Sequence, residues 1–589
     1  MKISPEVLLK GEKGMHRFGF FQALLVLGLV LPGSRSLAEG ESDPHWDLLS
    51  QDAYPRAAQC GVCHQKIYRQ WSVSNHAYSS ISPMFHKFEQ KISELSSGTV
   101  GAFCVRCHQQ IGTQLGEARE SALWQRSGIA REGVTCITCH RVAEEYGKVN
   151  GARIVMPGGI HAPVKGVAEN SSFDEVVADP DYPIATAEGE EGIPSHSEVQ
   201  PFTQIRKSEF CVSCHQVAVH PNIKLEVVWD QYRASPAFDK GVTCQDCHMG
   251  KSPGLPDGYE TGPVAIVNGK PVGNEREHHD HSFFGPGYSI AHPGIFPHNP
   301  EAERWTIDEW LQFDYRAEWG SEDFEIAVID GQVDVEFPEA WADPVDREEA
   351  WLIVEDNLTL LEEKKEQREQ VMANGSKIDG PFFDDAPEVG ESFDFYYEVT
   401  NINSGHNLPS GSLGAQPEIW LNVALTNPSG ETVWESGYVD SYGDMADLHS
   451  MDVAAGKLEH DDQLFNLQTK FLTTNVKGTD REMPLPVNFD IDPLPQLRPG
   501  AVPTSVLNHP PFIRMEGRSL PPLGARKATY TVPSSAMSEP GTYRLSVRLR
   551  SRAEPIYFMR FVEATIEMEQ AMNEWMVDVH PYAVEIDVQ

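Results

Sequence analysis

The rhythm of apolar and polar positions changes several times along the 589 residues. Phe18 to Leu31 is an almost unbroken apolar run. In Gln65 to His76, Ile67, Tyr68 and Trp71 fall at three-to-four spacing, which predicts a helix. Residues 147–205 and 250–300 are rich in Gly, Pro and acidic side chains and read as loops. Trp305, Trp310, Leu311 and Phe313 suggest an apolar patch. Asp346 to Met372 reads as a long amphipathic helix with Trp351, Ile353, Val354, Leu358 and Leu361 on its buried side. Ser376 to Gly380 ends that helix, and the charge run Glu362 to Glu369 reads as its solvated face.

From about residue 388 the period becomes two. Ser392 to Thr400 and Ile419 to Thr426 alternate, and Asn427-Pro-Ser-Gly430 before Thr432-Val-Trp434 predicts a hairpin turn. Gly541 to Arg550 is a further strand, and Tyr557 to Met568 is read as containing more. A Pro-rich insert, 483–523, crosses between strands. The pattern predicts an α+β multidomain chain: a segment of short helices and loops over 45–300, a helical connecting section over 301–380, and an all-β, sandwich-like region over 388–589.

The first region carries one short motif five times: Cys60-Gly-Val-Cys63-His64, Cys104-Val-Arg-Cys107-His108, Cys136-Ile-Thr-Cys139-His140, Cys211-Val-Ser-Cys214-His215 and Cys244-Gln-Asp-Cys247-His248. Two thiols at this spacing reach the two vinyl groups on one edge of a porphyrin, and the next residue then lies beneath the ring with its imidazole on the iron. The motifs use all 10 cysteines of the chain. With 22 histidines in 589 residues, five such units all followed by His have chance odds of roughly one in ten million. Structural zinc takes four ligands, which five pairs divide badly, and a disulfide framework leaves the five histidines without a reason. Five covalently bound haems c are therefore expected, with His64, His108, His140, His215 and His248 as proximal iron ligands.

Motifs two to five contain a duplication. Phe103 to Gln109 matches Phe210 to Gln216 at an offset of 107, and Gly133 to His140 matches Gly241 to His248 at 108. Trp124 and Ser127 recur as Trp229 and Ser235. The repeat implies two similarly posed haem pairs, with the first haem as an added unit. With five haems in so short a region, the macrocycles themselves make up much of the core.

The second axial position of each iron decides between a closed electron carrier and an open site. Of the 22 histidines, 16 remain once the motif residues and His16 are set aside. His76, closing the first helical stretch, and His281, within His278-His279-Asp280-His281, are the leading candidates; His196 follows on a polar loop. His278 and His279 read as solvent-facing, His161, His220, His292 and His298 as weaker candidates, and Met84, Met156 and Met249 as packing residues. In the β region, His406 sits in Asn403-Ser-Gly-His-Asn-Leu-Pro-Ser-Gly411, where Gly and Pro fix the backbone around it.

Charge and targeting narrow the setting. Lys2, Lys10, Lys13 and Arg17 precede the first apolar run, and Ser36-Leu37-Ala38 follows it, the three-part form of an export signal over 1–38; Met15 is an alternative start. Haem c is attached outside the bacterial cytoplasm, so a periplasmic or extracellular protein is expected, with no transmembrane span in the mature chain. A net charge of −40 disfavours nucleic acid as a partner; it reads first as a device for solubility in a salty habitat and second as an attraction for a cationic redox protein.

Several stretches resemble multihaem cytochromes of the cytochrome c-554 type: Cys60 to His76, Ser208 to His215, Ser235-Pro-Ala, Gly241 to Met249 and Asp280-His-Ser-Phe283. The resemblance covers about 45–300. It implies stacked, mostly bis-histidine haems that pass electrons, and it supports His76 and His281 as distal ligands. The Gly405 to Gly411 loop also resembles one in β domains that follow such regions, with Ser410 where relatives carry Thr, and this implies His406 as a distal ligand. The family type has four haems and this chain five motifs, so the pairing of each distal His with its haem stays open. The leading expectation is an exported pentahaem electron carrier rather than an enzyme. The alternatives are a multihaem reductase of a small nitrogen or sulfur compound, although no Cys-x-x-Cys-Lys site is present, and a subunit of a conductive extracellular assembly.

Overall fold

The computed structural model describes residues 53–95, 97–98, 100–145, 150–151, 153–167, 170–220, 223–411, 417–468, 470–473, 483–484, 513–516 and 518–589. The expected signal, 1–38, and most of the insert 483–523 lie outside the described residues.

Short helices carry the motifs. The first motif begins within Ala57–Gly61 and leads into Gln65–Ser72; the others lie on Val105–His108, Cys136–His140, Val212–His215 and Cys244–His248. The helix expected over 65–76 stops at Ser72. Ser74 Oγ accepts from Ala77 N at 3.2 Å and caps a new turn, Asn75–Tyr78, that carries His76. The duplication is visible in the backbone. Gly133 and Gly241, each three residues before a motif cysteine, both take positive φ, +63° and +71°, a conformation that favours glycine. Ser127 and Ser235 each cap the turn that leads into that glycine, accepting from Ala130 N and Phe238 N.

The long helix spans Pro344–Gly375, opened by Asp343, whose carboxylate accepts from Val345 N at 2.9 Å, and by Pro344 in its first turn. At 1.5 Å per residue it is about 48 Å long. Its buried residues recur at helical spacing and touch three cores in turn. Ala350, Ile353 and Val354 pack in a tryptophan-rich cluster with Trp305, Trp310, Phe313 and Trp341. Leu360 and Leu361 pack with Trp71, Tyr78 and Phe296, and Met372 enters the core between strands. The expected solvated face needs correction: Lys364 and Arg368, one turn apart, are 4% and 0% exposed, because they continue the stripe set by Asn357, Leu360 and Leu361.

Ser376 both ends this helix and starts a strand, Ser376–Phe382, in an antiparallel three-stranded sheet with Phe393–Asn401 and Ala525–Val532. A second antiparallel sheet orders Thr432–Ser436, Glu418–Thr426, Gly541–Arg552 and Val577–Val588. Phe393, Phe395, Tyr397 and Val399 alternate into one core shared with Leu421, Val423, Leu545 and Val547 of the second sheet. Asn427 to Gly430 forms the predicted turn, with Gly430 at φ +89°. The strands expected over Tyr557 to Met568 are instead two helices, Ile556–Phe561 and Ile566–Glu574. Ile556, Tyr557, Phe558 and Met559 are buried consecutively, and an unbroken apolar run of this kind does not distinguish helix from strand. The described chain is thus α+β, with helices first and a strand-rich C-terminal region.

Candidate haem sites

None of the ten cysteines is in a disulfide. Among the described residues no cluster of three or more His, Cys, Asp or Glu side chains could hold a bare metal ion. The motif histidines are nevertheless set up as ligands. A backbone carbonyl holds Nδ1 in four of them: Val264 O at 2.7 Å from His64, Ser79 O at 3.3 Å from His108, Lys165 O at 2.8 Å from His140 and Phe284 O at 2.5 Å from His248. An Nδ1–H bonded to a carbonyl fixes the tautomer with its lone pair on Nε2, the form that binds metal. Burial keeps these rings neutral: His108 and His215 are pushed down to about 4 by it, helped by neighbouring imidazoles.

Three of the five face a second imidazole at one recurring spacing. Ring centroids are 6.2 Å apart for His215 and His76, 6.4 Å for His140 and His281, and 6.0 Å for His248 and His406. Two imidazoles on opposite sides of one iron stand about 6 Å apart, from two Fe–N bonds of about 2 Å and about 1 Å from each nitrogen to its ring centre. Two of the three facing rings, those of His281 and His406, are held in the same way. His281 Nδ1 lies 2.9 Å from His279 O, and His406 Nδ1 lies 2.9 Å from Asn407 O. Burial, then the partner imidazole, lowers His76 and His281 to about 3 and His406 to about 4. These residues fit haem iron between each pair.

Each of the three facing histidines is held by structure far away in sequence. His76 O accepts from Val134 N at 3.0 Å, and Trp71 Nε1 donates to Val134 O at 2.9 Å, tying the first helical stretch to the third motif. Gln70 donates to Asp280 Oδ2 and its own Oε1 accepts from His281 N, placing His281. The His406 loop hangs on fully buried Asn401, whose amide donates to the carbonyls of His406, Leu520 and Pro521 at 3.0–3.1 Å. It is clamped to the motif region by Gln231, whose Oε1 accepts from Asn407 N and Ser410 Oγ.

The remaining histidines divide. His196 feels the charge of His64 ahead of that of any other group, and its buried Nδ1 has no partner among the described residues. His108 is stacked face to face by Phe85 at 4.1 Å, with His86 beside that phenyl ring and bonded to Ser80 O. His292 uses both ring nitrogens, on Phe313 O and Gly294 N, and His298 bonds Ala77 O while stacking on Trp71. Both therefore serve the protein core. His161 bonds Ser195 O. Two expectations are corrected: His278 is buried in a strand pairing, and His279 is half-buried with its ring tilted against Tyr259, centroids 4.1 Å apart. Met84 packs as expected, while Met156 is largely exposed.

The motifs touch one another. The thiols of Cys60 and Cys136, of Cys107 and Cys214, and of Cys211 and Cys244 are neighbours, and Cys139 packs in a cluster with Phe210, the residue before the fourth motif. The fourth motif thus adjoins the second, third and fifth.

Comparison with known proteins agrees in class. Residues 59–141, which hold the first three motifs, match the family of cytochrome c554 and c-prime. That stretch is thus similar to multihaem c-type cytochromes. A solved structure similar to it is a penta-heme cytochrome c552 from Thermochromatium tepidum, at 15% identity over 90% of this chain and 98% of that one, with a TM-score of 0.46. No curated protein matches.

Proposed function

We propose that this chain is an exported pentahaem cytochrome that carries electrons along closely spaced haems, in a respiratory chain outside the cytoplasm. The observation that carries the reading is the recurring separation of 6.0–6.4 Å between motif and distal imidazoles. In this reading His281 completes the third haem, His76 the fourth and His406 the fifth, with His196 assigned to the first. When bound, each iron supplies one-electron chemistry between its ferric and ferrous states. The chain's own part is to hold both axial imidazoles neutral and oriented, to keep water from the rings, and to bring the attachment cysteines of neighbouring motifs next to one another. The order of contacts supports a branched row: first to third, third to fourth, with the second and fifth joined to the fourth. The strand-rich region, with two sheets about one core, is read as a sandwich-like module that lends the fifth haem its ligand. No helix among the described residues is long and apolar enough to cross a membrane.

A second reading, reduction of a small nitrogen or sulfur compound, draws on the second motif, whose His108 makes its ring contact with Phe85, on the face of the imidazole, and with no second imidazole among the described residues. Electron paramagnetic resonance of the oxidised, full-length protein separates the two. Low-spin ferric signals alone support the carrier; a high-spin signal amounting to one haem supports an open site and the second reading. Intact mass lacking five haem additions would overturn both.

A further inference from the structure

The long helix carries a charge that no part of the fold has yet explained. Lys364 is 4% exposed, and its Nζ donates to Ser282 O at 2.8 Å. No carboxylate forms an ion pair with it among the described residues. The acidic group whose field reaches it is Asp280, which is itself held by Gln70 and by Ser282 N. One turn on, Arg368 is fully buried and bonded to the carbonyls of Pro286 and Trp575, and it adds positive charge rather than cancelling it. A buried cation without an anion is costly unless something in its surroundings gains from it. What lies around it is the lining of the motif histidines: Ser282, which accepts from Lys364, is followed by Phe283, whose ring centre is 4.0 Å from that of His76, and by Phe284, whose carbonyl holds His248 Nδ1 at 2.5 Å.

We propose that Lys364 is a potential-setting residue: a fixed cation buried beside the fourth and fifth motifs that favours the ferrous state of the haems held there. Each reduction transfers one electron from the reductant to one ferric iron, with no bond made or broken, and lowers the charge of the iron–porphyrin core by one unit. A positive charge held nearby in a poorly polarisable interior stabilises the less positive, reduced core over the oxidised one. Asp280 opposes the effect and Arg368 reinforces it. Burial, with Arg368, lowers the Lys364 ammonium to about 8, which leaves it mostly charged at neutral pH. The inference rests on the reading of His76, His215, His248 and His406 as iron ligands.

The test is a spectroelectrochemical titration of the full-length holoprotein, wild type against Lys364→Met, Lys364→Gln and Lys364→Arg, at neutral pH and fixed ionic strength, with haem content read from intact mass. Lys364→Met keeps the buried stem, and Lys364→Gln keeps a donor for Ser282 O. If either folds, the equilibrium for reducing the affected haems should drop at least tenfold, a shift of 59 mV to lower potential for a one-electron couple. Lys364→Arg should stay close to wild type. Unchanged midpoints in a fully loaded Met or Gln variant, or an equal shift in the Arg variant, overturn the proposal. A wild-type spectrum without bis-histidine haem would instead overturn the ligand reading beneath it.

Discussion

At the scale of single residues, the histidines sort by what holds their other nitrogen. His281 and His406 each have Nδ1 on a nearby carbonyl and a motif imidazole 6.4 or 6.0 Å away between ring centres, whereas His292 spends both nitrogens inside the fold. Replacing His406 with Ala should convert one low-spin ferric signal to high-spin while intact mass still shows every haem attached, since the cysteines are untouched. Asn401→Ala, which removes the donations to the carbonyls of His406, Leu520 and Pro521, should cost about 1–3 kcal/mol in denaturant unfolding and loosen the same signal. The motif residues were legible from the sequence because covalent attachment demands a fixed local spacing. The carbonyls that orient them were not. Val264 reaches His64 across 200 residues of chain, and any residue type supplies a carbonyl. Lys364 was read as solvated because it sits in a charged run; only the stripe from Asn357 through Leu361 to Arg368 shows that its heading is inward.

At the scale of elements, the long helix is the part on which most else depends, and its start is fixed by a buried ion pair. Arg347 meets Glu325 with two nitrogens, donates to the carbonyls of Trp341 and Ala342, and lies over the Phe337 ring at 3.8 Å. Arg347→Ala would leave the Glu325 carboxylate buried without a cation, held only by the Gly320 amide, at a cost of about 3–5 kcal/mol. That loss should be measurable as a lower denaturant midpoint. The alternating strand Phe393–Asn401 was readable from its period, since one face of it is core and the other is not. Its neighbour Glu418–Thr426 is buried on nearly every residue, so alternation there carried less information. The helix Ile556–Phe561 was mistaken for strand for a related reason: residues enclosed on all sides show no period.

At the scale of the whole molecule, buried carboxyls give stability a pH dependence. Burial alone pushes Glu554 up to about 7, and its Oε2 has no partner among the described residues. Its folded value lies above the ordinary 4.5, so the folded state binds the proton more tightly. The stability this contributes is complete below about pH 4.5 and is lost as pH rises through about 7, up to ~3 kcal/mol. Glu554→Gln should flatten that part of the melting temperature against pH profile. The net charge of −40 predicts that association with a cationic redox partner slows as ionic strength increases, which stopped-flow mixing at several salt concentrations would measure.

Gln231 grips Asn407 and Ser410 on one side of the molecule while Asn401 suspends the same loop from a sheet on the other. Damage to that distant apolar core would therefore register as colour. A denaturant titration followed at the Soret band should change in step with the tyrosine and tryptophan signals of the strands, so that visible absorbance becomes a gauge of C-terminal integrity.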